Sequence, residues 1–330
     1  MAEARGQAAS RGAIVAAARR LFGTQEAVLF LALLVLFTVV GSYNERYVAD
    51  RNLSSIFLGN AYIAVAAIGM SMVIISGNID ISVGSLIGVL ATISGTLAVE
   101  GYGLFLAWTL PVVISVAVTV SIGVLVAYLR IPAIVVSLGL LSILKGGLIS
   151  VTDGAWISDL PEGYGLAQMR LAGIPLPVYF MVVLTLLAAL WMRYSRLGRA
   201  IYAVGGNPEA ARLAGISREA TILAVFAIHG VFVGIAAILF ATQLSVIQST
   251  VPPNLELLII TAAVVGGVSI LGGTGTVIGS TLAAILLAAI GSALIFLDLS
   301  AYWLRAVQGV LILITVLADL ERRRRQRAMM

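Results

Sequence analysis

The 330-residue chain is 61 % hydrophobic and 11 % charged, with a mean hydropathy of +1.09, whereas soluble domains carry about 25 % charged residues; it reads as an all-α polytopic membrane protein. The net charge of +5 and pI near 9.7 come from arginines bunched in loops and tails, a pattern that reports membrane orientation and gives no support to nucleic-acid binding. No cysteine is present, and His229 and Lys145 are the only histidine and lysine, which excludes disulfides, thiol catalysis, Cys-ligated metal and, because Gly146 follows the lysine, a GxxxxGK[ST] nucleotide loop.

Backbone groups cannot go unpaired in hydrocarbon, so apolar runs near 20 residues read as helices. Residues 1–26 carry Arg5, Arg11, Arg19 and Arg20 ahead of such a run and resemble a secretory signal. No small-residue cleavage site follows, so the segment is expected to stay as a basic anchor on the cytoplasmic side. The first span covers 27–43. A polar patch, 44–52, leads to a second span at 55–76, which contains Asn60 and meets Ser76-Gly77-Asn78-Ile79-Asp80-Ile81-Ser82. A third span follows at 82–99, with Gly84 and Gly88 at the four-residue interval that lets helices approach closely.

Further spans are expected at 104–129 and 132–150, the latter ending near Lys145, then a polar loop with Trp156 and Tyr164, and a span at 174–192. The only long charged interior segment, 193–219, comes next. Spans at 220–241 (with His229), from about 257, at 276–297 and at 301–318 complete a count of ten, or eight if 257–297 forms re-entrant hairpins. The transmembrane domain is thus 27–318, and 319–330 is a basic tail. Ten crossings with both termini cytoplasmic gather Arg130, the arginines of 193–219 and the tail arginines on one side, leaving Arg46, Arg51 and Arg170 opposite; cytoplasmic loops collect such residues.

Within 193–219, Gly205-Gly206 read as a turn. Asn207 suits a helix cap, Pro208 the first helical position, Glu209 the positive helix end, and Gly215 the stop. The short helix 207–215 is therefore expected to be a docking element for a soluble partner. Asp80 is the other conspicuous residue, because a charge at the centre of a membrane helix costs about 2.5–3.5 kcal/mol. Either Asp80 or Ser82 caps the third span, or Asn78 and Asp80 line a translocation path. His229 reads either as a path residue or as a helix-to-helix hydrogen bonder. No metal-ligand grouping, serine-histidine-carboxylate set or HExxH occurs, so neither cofactor nor enzymatic activity is expected.

Glu209-Ala210-Ala211 followed by Gly215 resembles the EAA…G loop through which permeases of ATP-binding-cassette importers engage their ATPase, although the Ile-x-Leu-Pro tail common after that motif is replaced around Ala224-Val225-Phe226. Gly77-Asn78-Ile79-Asp80-Ile81-Ser82-Val83-Gly84-Ser85 is similar to the GGIDLSVGS signature of ribose-type sugar permeases. Ile131-Pro132-Ala133-Ile134-Val135 through Lys145-Gly146, Gly205 through Ala211, and Gly266 through Gly273 match further blocks in order. Asn-Ile-Asp with Ile-Pro-Ala-Ile resembles the rhamnose and autoinducer branches. The resemblance implies a bacterial inner-membrane permease for a monosaccharide-like substrate, with ATP hydrolysed on a partner chain that docks at Asn207, Pro208, Glu209, Ala210, Ala211, Arg212 and Gly215. It also implies a second permease, identical or paralogous, and a periplasmic sugar-binding protein. An ion- or proton-coupled secondary carrier is the alternative, and it would need intramembrane carboxylates, for which Asp80 is nearly the sole candidate.

Overall fold

A computed structural model of the protein describes residues 24–328. Arg5, Arg11, Arg19 and Arg20 lie outside the described residues, as do the side chains of Arg322, Arg323 and Arg325. All the expected apolar runs are helical: α1 (Gln25–Tyr43), α2 (Asp50–Ile75), α3 (Val83–Val99), α4 (Leu104–Ala127), α5 (Ala133–Thr152), α6 (Leu176–Tyr194), α9 (Arg218–Thr242), α10 (Leu255–Val265), α11 (Val277–Phe296) and α12 (Trp303–Ala328). Between α6 and α9 lie two shorter helices, α7 (Arg196–Gly206) and α8 (Pro208–Leu213). Eight of the described helices are long and apolar enough to cross a membrane, α3 and α10 being the shorter apolar pair.

The chain ends of these helices sort into two ends of the bundle. At one, Gln25 Nε2 donates to Val265 O (3.1 Å) and Gly273 N–H to Ile75 O (2.8 Å). This end carries α7 and α8 with their arginines and is called the basic end below. At the opposite end, two-residue strands β1 (Trp156–Ile157) and β4 (Ile247–Gln248) pair antiparallel, and β2 (Arg170–Leu171) pairs with β3 (Ile174–Pro175). Tyr164 of this loop is buried, and its hydroxyl lies 2.9 Å from Ser94 Oγ. Burial pushes the phenol up to about 12, against the opposing pull of the Ser94 bond.

α2 is the axis of the bundle. Of its most apolar window 83 % is buried inside the protein, against 11 % for α5 and 6 % for α12, so the first is a core helix and the other two present themselves to lipid. Lipid tails are as apolar as leucine, so exclusion from water cannot hold such helices together; close packing and interhelical hydrogen bonds must. Both are present. Ser71 Oγ of α2 donates to Ser280 Oγ of α11 (2.6 Å), Thr185 of α6 meets Thr281 of α11 (2.8 Å), and Tyr47 Oη donates to Ala289 O (2.9 Å). α9 crosses antiparallel to α4, and glycines four residues apart bring the backbones together: a Cβ on Gly230 would stand 2.7 Å from Val116 Cα, and on Gly234 2.6 Å from Val112 Cα.

Gly84 and Gly88 do admit close neighbours, the first turn of α10 at Gly84 and non-helical chain at Gly88. A Cβ on Gly88 would lie 3.1 Å from Val251 Cα, and one on Gly84 2.8 Å from Glu256 N. The chain from β4 to the start of α10 therefore runs along α3 toward the interior in non-helical form. This resolves the uncertain 257–297 region. α10 has 11 residues, about 16 Å at 1.5 Å per residue, roughly half the hydrocarbon thickness. The non-helical segment before it passes Gly88 and is sheltered by α3, as non-helical backbone at depth requires. α11, with 20 residues, is a full-length helix.

Candidate functional site

Two structures at or near the basic end carry the chemistry, a short exposed helix and an interrupted one. α8 starts where the sequence reads a start. Asn207 Oδ1 accepts the N–H groups of Glu209 (3.1 Å) and Ala210 (3.0 Å), and Pro208 occupies the first turn, where its missing N–H costs nothing. It stops at Gly215, whose φ of +79° permits Ile216 N–H to reach back to Ala211 O (2.9 Å) and Gly215 N–H to Arg212 O (3.0 Å), the paired bonds of a left-handed helix stop. Only Ala211 is buried; Pro208, Glu209, Ala210, Arg212 and Leu213 face outward. Arg212 Nη2 lies 2.6 Å from Glu209 Oε1 and Nε 3.2 Å from Oε2, and both side chains are 68 % exposed. The carboxylate raises the guanidinium pKa further above its ordinary value. Leu213, 79 % exposed, is an apolar tip on an otherwise polar helix.

Gly205 and Gly206 do not form a turn. They are the last residues of α7, and the absence of side chains there serves contact. A Cβ on Gly205 would overlap Ile75 O, and one on Gly273 would lie 2.8 Å from Gly206 N. A Cβ on Gly272 would lie 2.8 Å from Gly205 O and 3.1 Å from Gly77 Cα. Gly77, Gly272 and Gly273 all have positive φ, between +78° and +85°. Tyr202 Oη of α7 donates to Gly275 O (2.8 Å). Three segments separated by more than sixty residues thus meet backbone to backbone: the end of α2, the end of α7 and the loop between α10 and α11. Glycine pairs in the sequence signalled this, but pairing among distant segments is not written in local spacing.

The interruption of α2 and α3 runs through 76–82. Asn78 Nδ2 donates to Ser76 Oγ (3.1 Å), within the turn. Asp80 Oδ1 accepts both Ser82 N–H (2.8 Å) and the Ser82 hydroxyl (2.6 Å). Ser82 stands at the cap position of α3 but makes no side-chain capping bond, since its hydroxyl is committed to Asp80. Asp80 Oδ2 lies 3.3 Å from His229 Nε2 of α9, and both side chains are fully buried. Beyond that contact, Oδ2 and both imidazole nitrogens have no hydrogen-bond partner among the described residues. Gly69 makes room: a Cβ there would stand 2.8 Å from His229 Nδ1. Asp80, Ser82 and His229 are therefore one cluster. Asn60 lies apart on α2, bonded to Ile56 O (2.9 Å) and lining a cleft of ≈ 400 Å³ with Asn52, Leu258 and Ser292. Among the described residues no group of three or more His, Cys, Asp or Glu side chains could hold a metal.

The arrangement can transmit displacement: a rigid exposed helix is joined through glycine backbone contacts to the break in the central helix. Comparison with known proteins bears on what it moves. Residues 52–316 match the family described as branched-chain amino acid transport system / permease component. The chain is similar to the autoinducer 2 import system permease protein LsrC of Salmonella typhi, 36 % identical over 89 % of this chain and 85 % of the relative. Its counterpart in Yersinia enterocolitica is 35 % identical over 89 % of this chain and 82 % of its own length. No solved structure matches.

Proposed function

Because the chain belongs to this family of transport-system permease components, and is a multi-pass membrane permease of an ATP-binding-cassette sugar or autoinducer importer of the bacterial inner membrane, we propose that α8 is where a separate ATPase subunit docks and that the 76–82 break is what it moves. The observation that carries this reading is the contact of Gly205-Gly206 with Ile75, Gly77 and Gly273. A rotation of α7 and α8 cannot occur without displacing the end of α2, because the contacting atoms are backbone and have no rotamers to absorb it. α8 suits docking: its caps are internal, so it keeps its shape when gripped, and Leu213 with the Glu209–Arg212 pair offers apolar and charged contacts together. The basic end is then cytoplasmic, as its arginines predict.

The substrate is a monosaccharide-like molecule of the ribose, rhamnose or autoinducer type, delivered by an external sugar-binding protein to a pair of permeases, identical or paralogous. The relatives named for autoinducer 2 import support that class. Asp80 serves as anchor of the break: Ser82 occupies one oxygen and His229 faces the other. The test is Ala211→Pro, which removes the Ala211 N–H bond to Asn207 O at a helix cost of about 3 kcal/mol confined to α8. The variant is expected in the membrane at normal level, with substrate-stimulated ATP hydrolysis and uptake lost in the reconstituted complex. Normal coupled hydrolysis would contradict the assignment.

A further inference from the structure

The described side chains of α12 are exposed or half-buried with one exception, and that exception is an amide, Gln308, only 6 % exposed. Tyr62 of α2 lines the same cavity and is 9 % exposed. Neither the Gln308 amide nor the Tyr62 hydroxyl has a hydrogen-bond partner among the described residues. Both groups donate and accept, and neither polar tip is sealed off from the cavity, so each is open to pairing with whatever enters it. Something other than the chain itself is expected to meet them. Asn254, Tyr302 and Arg305 complete the polar wall of the cavity, which has a volume of ≈ 340 Å³, at the lower end of the range of about 300–1,000 Å³ for small-molecule sites.

The wall has no carboxylate, so it does not suit a cation. The Gln308 amide, two tyrosine hydroxyls, an asparagine, one guanidinium and the apolar flank of Leu258 suit a compact ligand with several hydroxyls. The cleft that holds Asn60 adjoins this cavity across Leu258, which lines both. We propose that the cavity between α2, α10 and α12 is a transit site for a neutral, polyhydroxylated molecule of monosaccharide size, whose hydroxyls pair with Gln308 and Tyr62. That the ligand is a transported sugar rests on the import reading above; the cavity and its unpaired groups do not.

The absence of native cysteine provides the test. Leu258→Cys or, should that variant fold poorly, Leu304→Cys, both at apolar positions of the cavity wall, is introduced into the full chain in lipid nanodiscs, and its labelling by a small neutral maleimide is timed with and without D-ribose, L-rhamnose or cyclohexanol. At about 50 mM sugar, a site of about 10 mM affinity slows labelling about sixfold. Slowing by either sugar but not by cyclohexanol is the expected result. Within the Leu258→Cys background, Tyr62→Phe or Gln308→Leu then raises the protecting concentration about tenfold. Equal rates in all solutions, or equal protection by cyclohexanol, overturn the site. ATP-driven uptake by the unmodified complex is measured in parallel. Uptake without protection discards the site and keeps the import reading, whereas protection without ATP-driven uptake does the reverse.

Discussion

Among the described residues two contacts join oppositely chargeable side chains, and their surroundings make them physical opposites. Glu209 and Arg212 lie 2.6 Å apart with both side chains 68 % exposed, whereas Asp80 and His229 lie 3.3 Å apart with neither exposed at all. Water and salt screen the first, so it adds little to stability and can be exchanged for contacts with a partner. The second is shut away from solvent, and removing either member strands the other. A coupling surface needs partners that can be swapped, and an anchor for a broken helix needs partners that cannot. The glycine contacts at Ile75, Gly205 and Gly273 lie between these extremes and join them.

The largest effect is expected at the buried contact. His229→Leu should destabilise the folded protein by about 3–5 kcal/mol, since Asp80 Oδ2 is left buried without a companion. Asp80→Asn combined with His229→Gln should recover part of that loss, because no charge remains to strand. Thermal unfolding in nanodiscs checks both, and an unaltered midpoint for His229→Leu would show that the pair anchors nothing.

Gly205→Val should leave the complex assembled but cut uptake more than about tenfold, because its Cβ overlaps the Ile75 carbonyl and forces α7 away from α2. Wild-type uptake in this variant would sever the exposed helix from the break. A smaller effect is expected in the loop at the opposite end. Tyr164 ionises at about 12 instead of 10. A folded pKa raised above the unfolded one means that its stabilisation is complete below pH 10 and disappears as pH climbs through 12, a loss of about 2–3 kcal/mol at about 1.4 kcal/mol per unit. Tyr164→Phe should flatten the alkaline limb of a melting curve; an unchanged limb would place the pH sensitivity elsewhere. Least of all, Arg212→Ala should leave the melting temperature unmoved while reducing ATPase association, and a lowered melting temperature would mean that the exposed pair is structural after all.

Much of this was readable in the chain, and the limits of reading have physical causes. Apolar runs announce helices because lipid permits no other local solution, and the caps of α8 are written in Asn207, Pro208 and Gly215 because capping is local. The interruption at 76–82 was visible from its polar residues. What Asp80 touches was not, since His229 lies 149 positions later and periodicity carries no information about which face of α9 meets which turn. Gly205 and Gly206 were misread for the same reason: glycine suits both turns and close approach, and only the arrival of Ile75 and Gly273 decides between them. The shortness of α10, 11 residues preceded by non-helical chain, was likewise hidden, as an apolar run does not reveal where its helix begins. Gln308 was in plain view, an amide within the last apolar run, and its burial gives that oddity its meaning.

On this reading a helix at the basic end is gripped by the machinery that hydrolyses ATP. Because the chain lacks cysteine, Glu209→Cys or Arg212→Cys can be joined by a short bifunctional reagent to whatever protein lies beside it in the assembled complex. The account predicts a crosslink to the nucleotide-hydrolysing subunit, with yield that changes when ATP is bound. A crosslink to any other neighbour, or labelling of position 209 only from outside the cell, would contradict it.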